Sequence, residues 1–332
     1  MHTMKPPLSV LVVGAGAVGQ VYAKHLAQGG AAVTLYVRER HREEAERGFD
    51  LVRVRGLGRA PGPDRREHLR LEGCDVVTSA EEVAARRFDQ VYLTVSSAAL
   101  VGPWLAALVA AIGDATVVGL TPSPDDRALL FAAGVQPAHL VDGLISLVSY
   151  HSPLDGEPDG TPAGTTYWFP PASPCLLSGS ARVDDVVAAL ERGGMPARRH
   201  PDVPRMSAFP NAAFMVYLTA LEAAGWSLSA LLQGEALARA VRGAREGLAV
   251  AAVSAGKAPL ALSLLVTRGW LLRVGLWFAT RAAPFPIEPY LRAHFTKVGA
   301  QTRLILDSLI ARGATAGLPV GTLRALRADV SR

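Results

Sequence analysis

Val10-Leu11-Val12-Val13-Gly14-Ala15-Gly16-Ala17-Val18-Gly19 is the stretch whose reading decides the fold. Four consecutive β-branched or leucine side chains read as a strand buried on both faces of a parallel sheet, and the glycines that follow at GxGxxG spacing open a helix at Val18. Each glycine has its own reason. Gly14 permits a tight turn, Gly16 lets the backbone approach a pyrophosphate, and Gly19 lets the helix pack close to the strand, while the first helical amides, around Ala17 and Val18, face the phosphates. An ordinary glycine-rich turn can carry the same letters. Here, however, the motif follows a strand, precedes an amphipathic helix (Val21, Tyr22, His25, Leu26) and is answered by a second strand over 33–37, which together predict a dinucleotide site.

The end of that second strand selects the cofactor. An acidic residue there would bind the ribose 2′-hydroxyl of NAD, but the chain reads Tyr36-Val37-Arg38-Glu39-Arg40, with Arg38 at the strand end. A guanidinium at that position suits a 2′-phosphate, with Arg40 and Arg42 as further candidates, so NADP(H) is the expected cofactor. Glu39 is the residue that would suit NAD.

The chain has 332 residues, 50% of them hydrophobic and 19% charged, enough for two globular domains, and a net charge of +5. The excess is spread rather than clustered, which suits an anionic cofactor or substrate and not nucleic acid. Cys74 and Cys175 stand alone in sequence and form no redox or metal motif, and residues 1–7 lack the apolar run of a signal peptide, so a cytoplasmic protein with reduced thiols is expected. His151, Asp155 and Asp159 lie on a Gly/Pro-rich loop with no second histidine at ligand spacing, so no metal site is assigned. Residues 260–279 approach spanning length, but Arg268 and Arg273 sit in their middle. The expectation is therefore a helix buried in a core or in the interface of a homodimer, with Trp270, Trp277 and Phe278 as contacts, and no membrane partner.

In chain order, the first half alternates strands and helices in the doubly wound manner. After the helix at 41–47 and a loop over 56–67, Ser79 and Glu82 form a capping box, and 90–95 is a central strand ending at Ser96-Ser97. Ligands in such sheets bind outside the carboxyl ends of the strands, so Thr94, Ser96 and, after the strand over 116–120, Thr121 join the cofactor candidates. Asp125 is the expected cap of the next helix. Segments 144–150, 165–169 and 175–177 read as short antiparallel strands closing the domain, and 201–204 as a linker. Beyond it, 206–224, 235–255, 260–279 and 288–311 are periodic helices with no strand pattern. The fold class is thus an α/β Rossmann domain with a mainly parallel sheet over 1–200, followed by an all-α domain over 205–332.

This arrangement resembles the ketopantoate reductase (2-dehydropantoate 2-reductase) family. The resemblance rests on residues 12–19, on Arg38, on the strand over 89–95 and on Gly317-Leu318-Pro319-Val320. It implies NADPH-dependent hydride transfer to a 2-keto carbonyl, with a lysine as general acid and a glutamate and asparagines placing the substrate. Residue by residue, that set is not carried by this chain. Ser96 stands where the family has lysine after its Thr-hydrophobic pair, Thr121-Pro122 where it has Asn-Gly, Met206 where the catalytic lysine opens a helix, and Gln301 at the approximate place of the glutamate.

Three readings follow: an NADP-dependent reductase of this fold acting on a carbonyl or imine of another small substrate, a true 2-dehydropantoate 2-reductase with rearranged catalytic groups, or a non-catalytic NADP-binding sensor. For the replacement chemistry, Lys297 is the one lysine outside the tail, the first helix and a Gly/Pro break. On a continuous helix, His294, Lys297 and Gln301 share one stripe at i, i+3 and i+7, while Arg292, Arg303 and Asp307 face solvent. Lys297 or His294 is the expected proton donor, with Gln301 and Asn211 orienting substrate, Asn211 serving alternatively as a helix cap. Glu222 belongs either to a cleft or to a solvent edge.

Overall fold

The computed structural model describes residues 6–58, 63–120, 123 and 125–330. The described residues form two compact units. One comprises 6–56, 63–153 and 160–203, and the other 57–58, 154–159 and 204–330.

In the first unit an eight-stranded sheet runs in the order β12-β11-β8-β7-β6-β1-β2-β5. Its strands are β1 (Ser9–Val13), β2 (Ala32–Tyr36), β5 (Asp75–Val77), β6 (Gln90–Leu93), β7 (Thr116–Gly119), β8 (Leu140–Leu144), β11 (Cys175–Gly179) and β12 (Ala197–Arg199). All neighbouring pairs are parallel except β8 with β11. β1 has neighbours on both sides, β2 reached in one direction and β6 in the other, which makes its carboxyl end the point where the strand order reverses. Its alternating side chains serve two cores: Val10 and Val12 pack with Val21, Tyr22 and Leu26 of helix α1 (Ala17–Gln28), while Leu11 and Val13 pack with residues of α3 (Ala80–Ala84) and α4 (Pro103–Ile112) on the other face. Between β2 and β5 lies the short α2 (Arg42–Arg47), and α5 (Asp126–Ala132) follows β7.

A second, four-stranded sheet has the order β4-β3-β10-β9, built from β3 (Phe49–Val54), β4 (Arg66–Leu71), β9 (Val148–Ser152) and β10 (Gly164–Trp168). This corrects the expectation of one antiparallel group closing the domain. β8 and β11 extend the large sheet, whereas β9 and β10 leave it to join β3 and β4, with β10 parallel to β3. Helices α1 and α6 (Val183–Arg192) pack in one core with residues of both sheets, among them Leu51, Leu71 and Tyr167 of the second. A helix covered on two sides has little solvent face, which is why even its polar residues are buried: Gln20 is 4% and His25 1% exposed. Both are satisfied. Gln20 Oε1 accepts from Thr165 Oγ1 at 2.6 Å, and His25 lies between Gly193 O (2.7 Å from Nδ1) and the Tyr167 hydroxyl (3.1 Å from Nε2). A carbonyl only accepts, so Nδ1 carries the proton and Nε2 accepts from Tyr167.

The second unit is helical: α7 (Val203–Ala223), α8 (Leu228–Leu231), α9 (Gly234–Ala255), α10 (Leu260–Thr267), α11 (Gly269–Ala282), α12 (Ile287–Lys297), α13 (Gly299–Thr315) and α14 (Gly321–Asp329). α7 starts at Val203, so the expected linker contracts to the residues before it. The core gathers Val216 of α7, Ala240, Ala244 and Leu248 of α9, Leu306 and Leu309 of α13, and Leu323 and Leu326 of α14. α9 approaches its neighbours through small residues; a β-carbon on Gly243 would come within 2.9 Å of Leu326 and 3.0 Å of Val216.

Two helices expected to be continuous are broken. The one over 260–279 bends by 93° at Arg268, because the Val266 carbonyl accepts from the Tyr217 hydroxyl and the Thr267 carbonyl from Arg245 (3.1 Å). Carbonyls taken in this way no longer continue the helical ladder, and Gly269 is a weak helix former. The other helix breaks at Val298, whose φ and ψ of −106° and 21° leave the helical region ahead of Gly299. Of the two places expected for the Trp-bearing helix, the core of the chain is corrected: α11 has no buried residue, and Trp270, Trp277 and Phe278 are 64%, 50% and 61% exposed. No single helix among the described residues is long and apolar enough to cross a membrane.

Burial holds the His25 imidazole below the usual histidine range. The unfolded chain therefore takes up a proton near pH 6.5 that the folded protein resists, so this contribution to stability is present above that pH and is lost as pH falls through the depressed folded value. Urea denaturation followed from pH 7.5 downward should show a shallower loss of stability in His25→Gln than in the unmutated protein, and equal slopes would contradict the assignment.

Candidate functional site

The glycine turn is built by steric exclusion. Gly14 has φ +97°, which side-chain-bearing residues rarely adopt, and its amide donates to Tyr36 O at 2.9 Å, tying the turn to the end of β2. A β-carbon on Gly19 would lie 1.9 Å from Gly14 O and 2.7 Å from Thr94 Oγ1, so only glycine lets α1 come this close to the strand end. Gly16 differs. It is exposed, its φ of −72° suits any residue, and nothing lies within 4 Å of where its β-carbon would be. The space beside Gly16 opens to solvent at the amino end of a twelve-residue helix, whose first-turn amides, including those of Ala17 and Val18, have no partners within the helix. These residues fit a pyrophosphate.

The flanking residues hold the turn in place. Thr94 Oγ1 lies 2.9 Å from both Val13 O and Gly14 O, so the hydroxyl expected at the cofactor is spent on the turn's own carbonyls. Gln20, which sequence reasoning missed, donates from Nε2 to Ala15 O at 2.9 Å while its Oε1 holds Thr165. Its signal was available in the sequence as a polar residue on the buried side of an otherwise apolar helix. Ser96 is half-buried and opens a 3-10 turn over Ser97–Leu100. Ser97, fully buried, donates to Asp126 Oδ2 at 2.7 Å, and the same oxygen accepts from Ser123 N at 2.9 Å. The buried carboxylate that ties the segment after β6 to the one after β7 is thus Asp126, whereas Asp125, the expected cap, makes no side-chain cap bond. Thr121 lies outside the described residues.

After β2 the arginines divide. Arg42 donates to Glu39 (3.1 Å), to Thr78 Oγ1 (2.6 Å) and to Glu82 (2.6 Å), and Thr78 in turn bonds Glu39. These contacts hold the Glu39 carboxyl below the usual carboxylate range, Thr78 first and Arg42 second. Arg42 is therefore committed to carboxylates, which corrects its expected availability to a phosphate. Arg38 and Arg40 are exposed, Arg38 in extended conformation ahead of the 3-10 turn over Glu39–His41. The expected capping box is half-formed: Ser79 Oγ accepts from Glu82 N at 3.2 Å, but Glu82 reaches back to Thr78 N at 2.9 Å.

In the second unit, the break at Val298 dissolves the expected stripe. His294 and Lys297 close α12, whereas Gln301 sits in the first turn of α13, its amide donating to Val298 O at 2.9 Å. His294 is half-buried between the rings of Tyr290 and Phe295, at 5.6 and 4.7 Å between centroids, and burial pushes the Tyr290 hydroxyl up to about 12. Gln301 is half-buried and Lys297 exposed. Asn211 is not a cap, since α7 starts eight residues earlier; it lies half-buried inside that helix, next to Pro210. Arg303 does not simply face solvent, because it pairs with Glu222 at 3.1 Å, and this resolves the ambiguity of Glu222 toward a half-buried ion pair. Among the described residues no group of three or more His, Cys, Asp and Glu could hold a metal ion.

Comparison with known proteins agrees with the fold described above. Residues 10–82 match the family model described as ketopantoate reductase PanE/ApbA. No curated protein matches the chain in sequence. Similar solved structures include a PanE/ApbA family ketopantoate reductase from Ralstonia eutropha JMP134, with 19% identity over 97% of this chain and 96% of that one and a TM-score of 0.68. A 2-dehydropantoate 2-reductase from Geobacter metallireducens GS-15 has 15% identity over 98% and 99%, with a TM-score of 0.69. A D-mandelate dehydrogenase, solved with NADH and anilino(oxo)acetate, has 14% identity over 98% and 97%, with a TM-score of 0.67. The chain resembles the ketopantoate reductase family and has its fold: a Rossmann domain with a mainly parallel sheet, then a helical half.

The two glycines separate folding from binding. Gly19→Ala should lower stability by about 1–3 kcal/mol in urea denaturation, because the added methyl meets backbone that cannot give way. Gly16→Val should keep the unmutated protein's stability yet abolish NADPH and NADH binding in a fluorescence titration. A folded Gly16→Val protein that still bound dinucleotide would refute the assignment.

Proposed function

We propose that this protein is an oxidoreductase that uses NADP(H) and transfers hydride to a carbonyl or imine of a small substrate other than ketopantoate. The observation that carries the cofactor choice is the division of charge after β2. Glu39, the residue that would favour NAD, is engaged by hydrogen bonds from Arg42 and Thr78, while Arg38 is left exposed at the strand end. A ribose 2′-phosphate there gains a charge-assisted partner; a bare 2′-hydroxyl finds no free carboxylate among these residues. The likeness to reductases and to a dehydrogenase solved with NADH supports hydride chemistry.

The choice of substrate rests on what the chain lacks. Ser96 and Met206 replace lysines that the resemblance implies, and Gln301 stands near the place of a glutamate. A methionine cannot donate a proton and a glutamine cannot ionise, so the proton must come from another group. When bound, the nicotinamide supplies the hydride. The chain's own share is to hold the pyrophosphate at Gly14, Gly16 and Gly19, to pair the 2′-phosphate with Arg38, and to protonate the reduced oxygen or nitrogen. For the last role we assign Lys297 or His294, with Gln301 and Asn211 orienting the substrate. His294 is supported by its half-buried place beside the rings of Tyr290 and Phe295, and an imidazole is a group that can donate a proton in such a step.

Titration with both cofactors should show tighter binding of NADPH than NADH, and Arg38→Ala should remove most of the difference; equal affinities in the unmutated protein would overturn the cofactor choice. In a coupled assay over a panel of 2-keto acids, ketones and imines, turnover is expected on a substrate other than ketopantoate. Either Lys297→Ala or His294→Ala should then lower kcat by roughly a hundredfold with NADPH binding intact. Full activity in both variants would remove these residues from the mechanism, and tight NADPH binding without turnover on any substrate would remove the enzyme reading itself.

A further inference from the structure

Exposed apolar surface in this protein is concentrated. Of the twelve large apolar side chains exposed among the described residues, seven lie on α10 and α11. On α10 they are Leu260, Leu264 and Leu265; on α11, Trp270, Val274, Trp277 and Phe278, spaced i, i+4, i+7 and i+8, form one stripe. Leu260 is 75% exposed, and Trp270 and Phe278 more than 60%, so these side chains stand out from the surface rather than line a groove. Scattered exposed leucines need no explanation, but a contiguous patch on one bent helix pair does.

Charge along the segment that carries the patch has one sign. Lys257, Arg268, Arg273 and Arg281 are all exposed, and the sequence contains no acidic residue between Glu246 and Glu288. Those two flanking carboxylates are occupied elsewhere: Glu246 accepts from the amides of Thr322 and Leu323 at 3.1 and 2.9 Å, and Glu288 from that of Leu228 at 2.6 Å. Arg281 lies over the Trp277 ring, 3.8 Å from its centroid. The two helices, of 8 and 14 residues and bent by 93°, rise about 12 and 21 Å, short of the ~30 Å hydrocarbon core of a bilayer. They can lie in an interface but do not span one.

We propose that the α10–α11 elbow is a docking surface for an anionic lipid bilayer, on which the protein seats peripherally. Protruding tryptophan, phenylalanine and leucine side chains enter the boundary between headgroups and acyl chains, and the surrounding cations meet lipid phosphates, as amphipathic interfacial helices do. A deformable lipid layer accepts projecting side chains without a matching pocket. A second copy of the chain is the less suitable occupant, because a two-fold interface would set this all-cationic patch against itself.

Co-sedimentation with vesicles tests this. The protein should pellet with equimolar phosphatidylglycerol and phosphatidylcholine, remain in the supernatant with phosphatidylcholine alone, and be released as salt rises from about 0.1 to 0.5 M. Trp277→Ser with Phe278→Ser should weaken partitioning by roughly tenfold or more. Arg268→Gln with Arg281→Gln should weaken it by roughly thirtyfold, the scale of two surface cations. Thermal midpoint and NADPH affinity should stay unchanged in both variants. Absence of pelleting of the unmutated protein with anionic vesicles overturns the proposal. So does a dimer in sedimentation velocity without lipid that the Trp277→Ser, Phe278→Ser variant dissociates, since the face would then be covered by a second copy.

Discussion

One close approach governs the first unit: the carbonyl of Gly14 lies 1.9 Å from where any β-carbon on residue 19 would sit. Because Gly19 has none, α1 starts against the strand end, and the amides of its first turn are brought to the point where strand order reverses beside β1. The distance is set by hard-sphere repulsion between backbone atoms, which rises far more steeply than any attractive interaction falls. The place of the helix is therefore fixed by what glycine omits. Thr94 and Gln20 then hold the turn by hydrogen bonds to its carbonyls, so its geometry does not wait for a ligand.

Much of this could be read directly from the residues. The apolar run over 10–13 and the glycine spacing each carry a local physical meaning that survives folding, and Arg38 stays exposed at the strand end. Other features depend on distant partners and left no local trace. The bend at Arg268 arises because Tyr217 and Arg245 take the carbonyls of Val266 and Thr267, and no periodicity within 260–279 records that. The second sheet needs β3 and β10 to pair in parallel across more than a hundred residues, which short strands alone do not announce. The polar stripe of His294, Lys297 and Gln301 presumed an unbroken helix, and a β-branched residue followed by glycine at 298–299 was the warning it overlooked.

The arginines after β2 show why counting charges is not enough. Arg38, Arg40 and Arg42 are alike in sequence, yet the structure gives Arg42 two carboxylates and a hydroxyl and leaves Arg38 exposed. The contacts that commit Arg42 also hold Glu39 in place, so which charges remain available to a ligand cannot be read from the letters Arg-Glu-Arg alone. In the second unit, the carboxylates that flank α10 and α11 in sequence cap helix amino ends, and the segment between them carries cations alone.

The chain of contacts from Thr165 through Gln20 to Ala15 joins strand β10 to the glycine turn by two hydrogen bonds across a single buried side chain. Freeing one end of a buried amide leaves an unsatisfied polar group, at about 1–3 kcal/mol, so opening one end alone is disfavoured relative to opening both. The opening of β10 and that of the turn are therefore energetically coupled. Whatever ligand rests on the turn is linked thermodynamically to the hydrogen-exchange protection of a strand in the other sheet, even though no atom of that strand belongs to the turn.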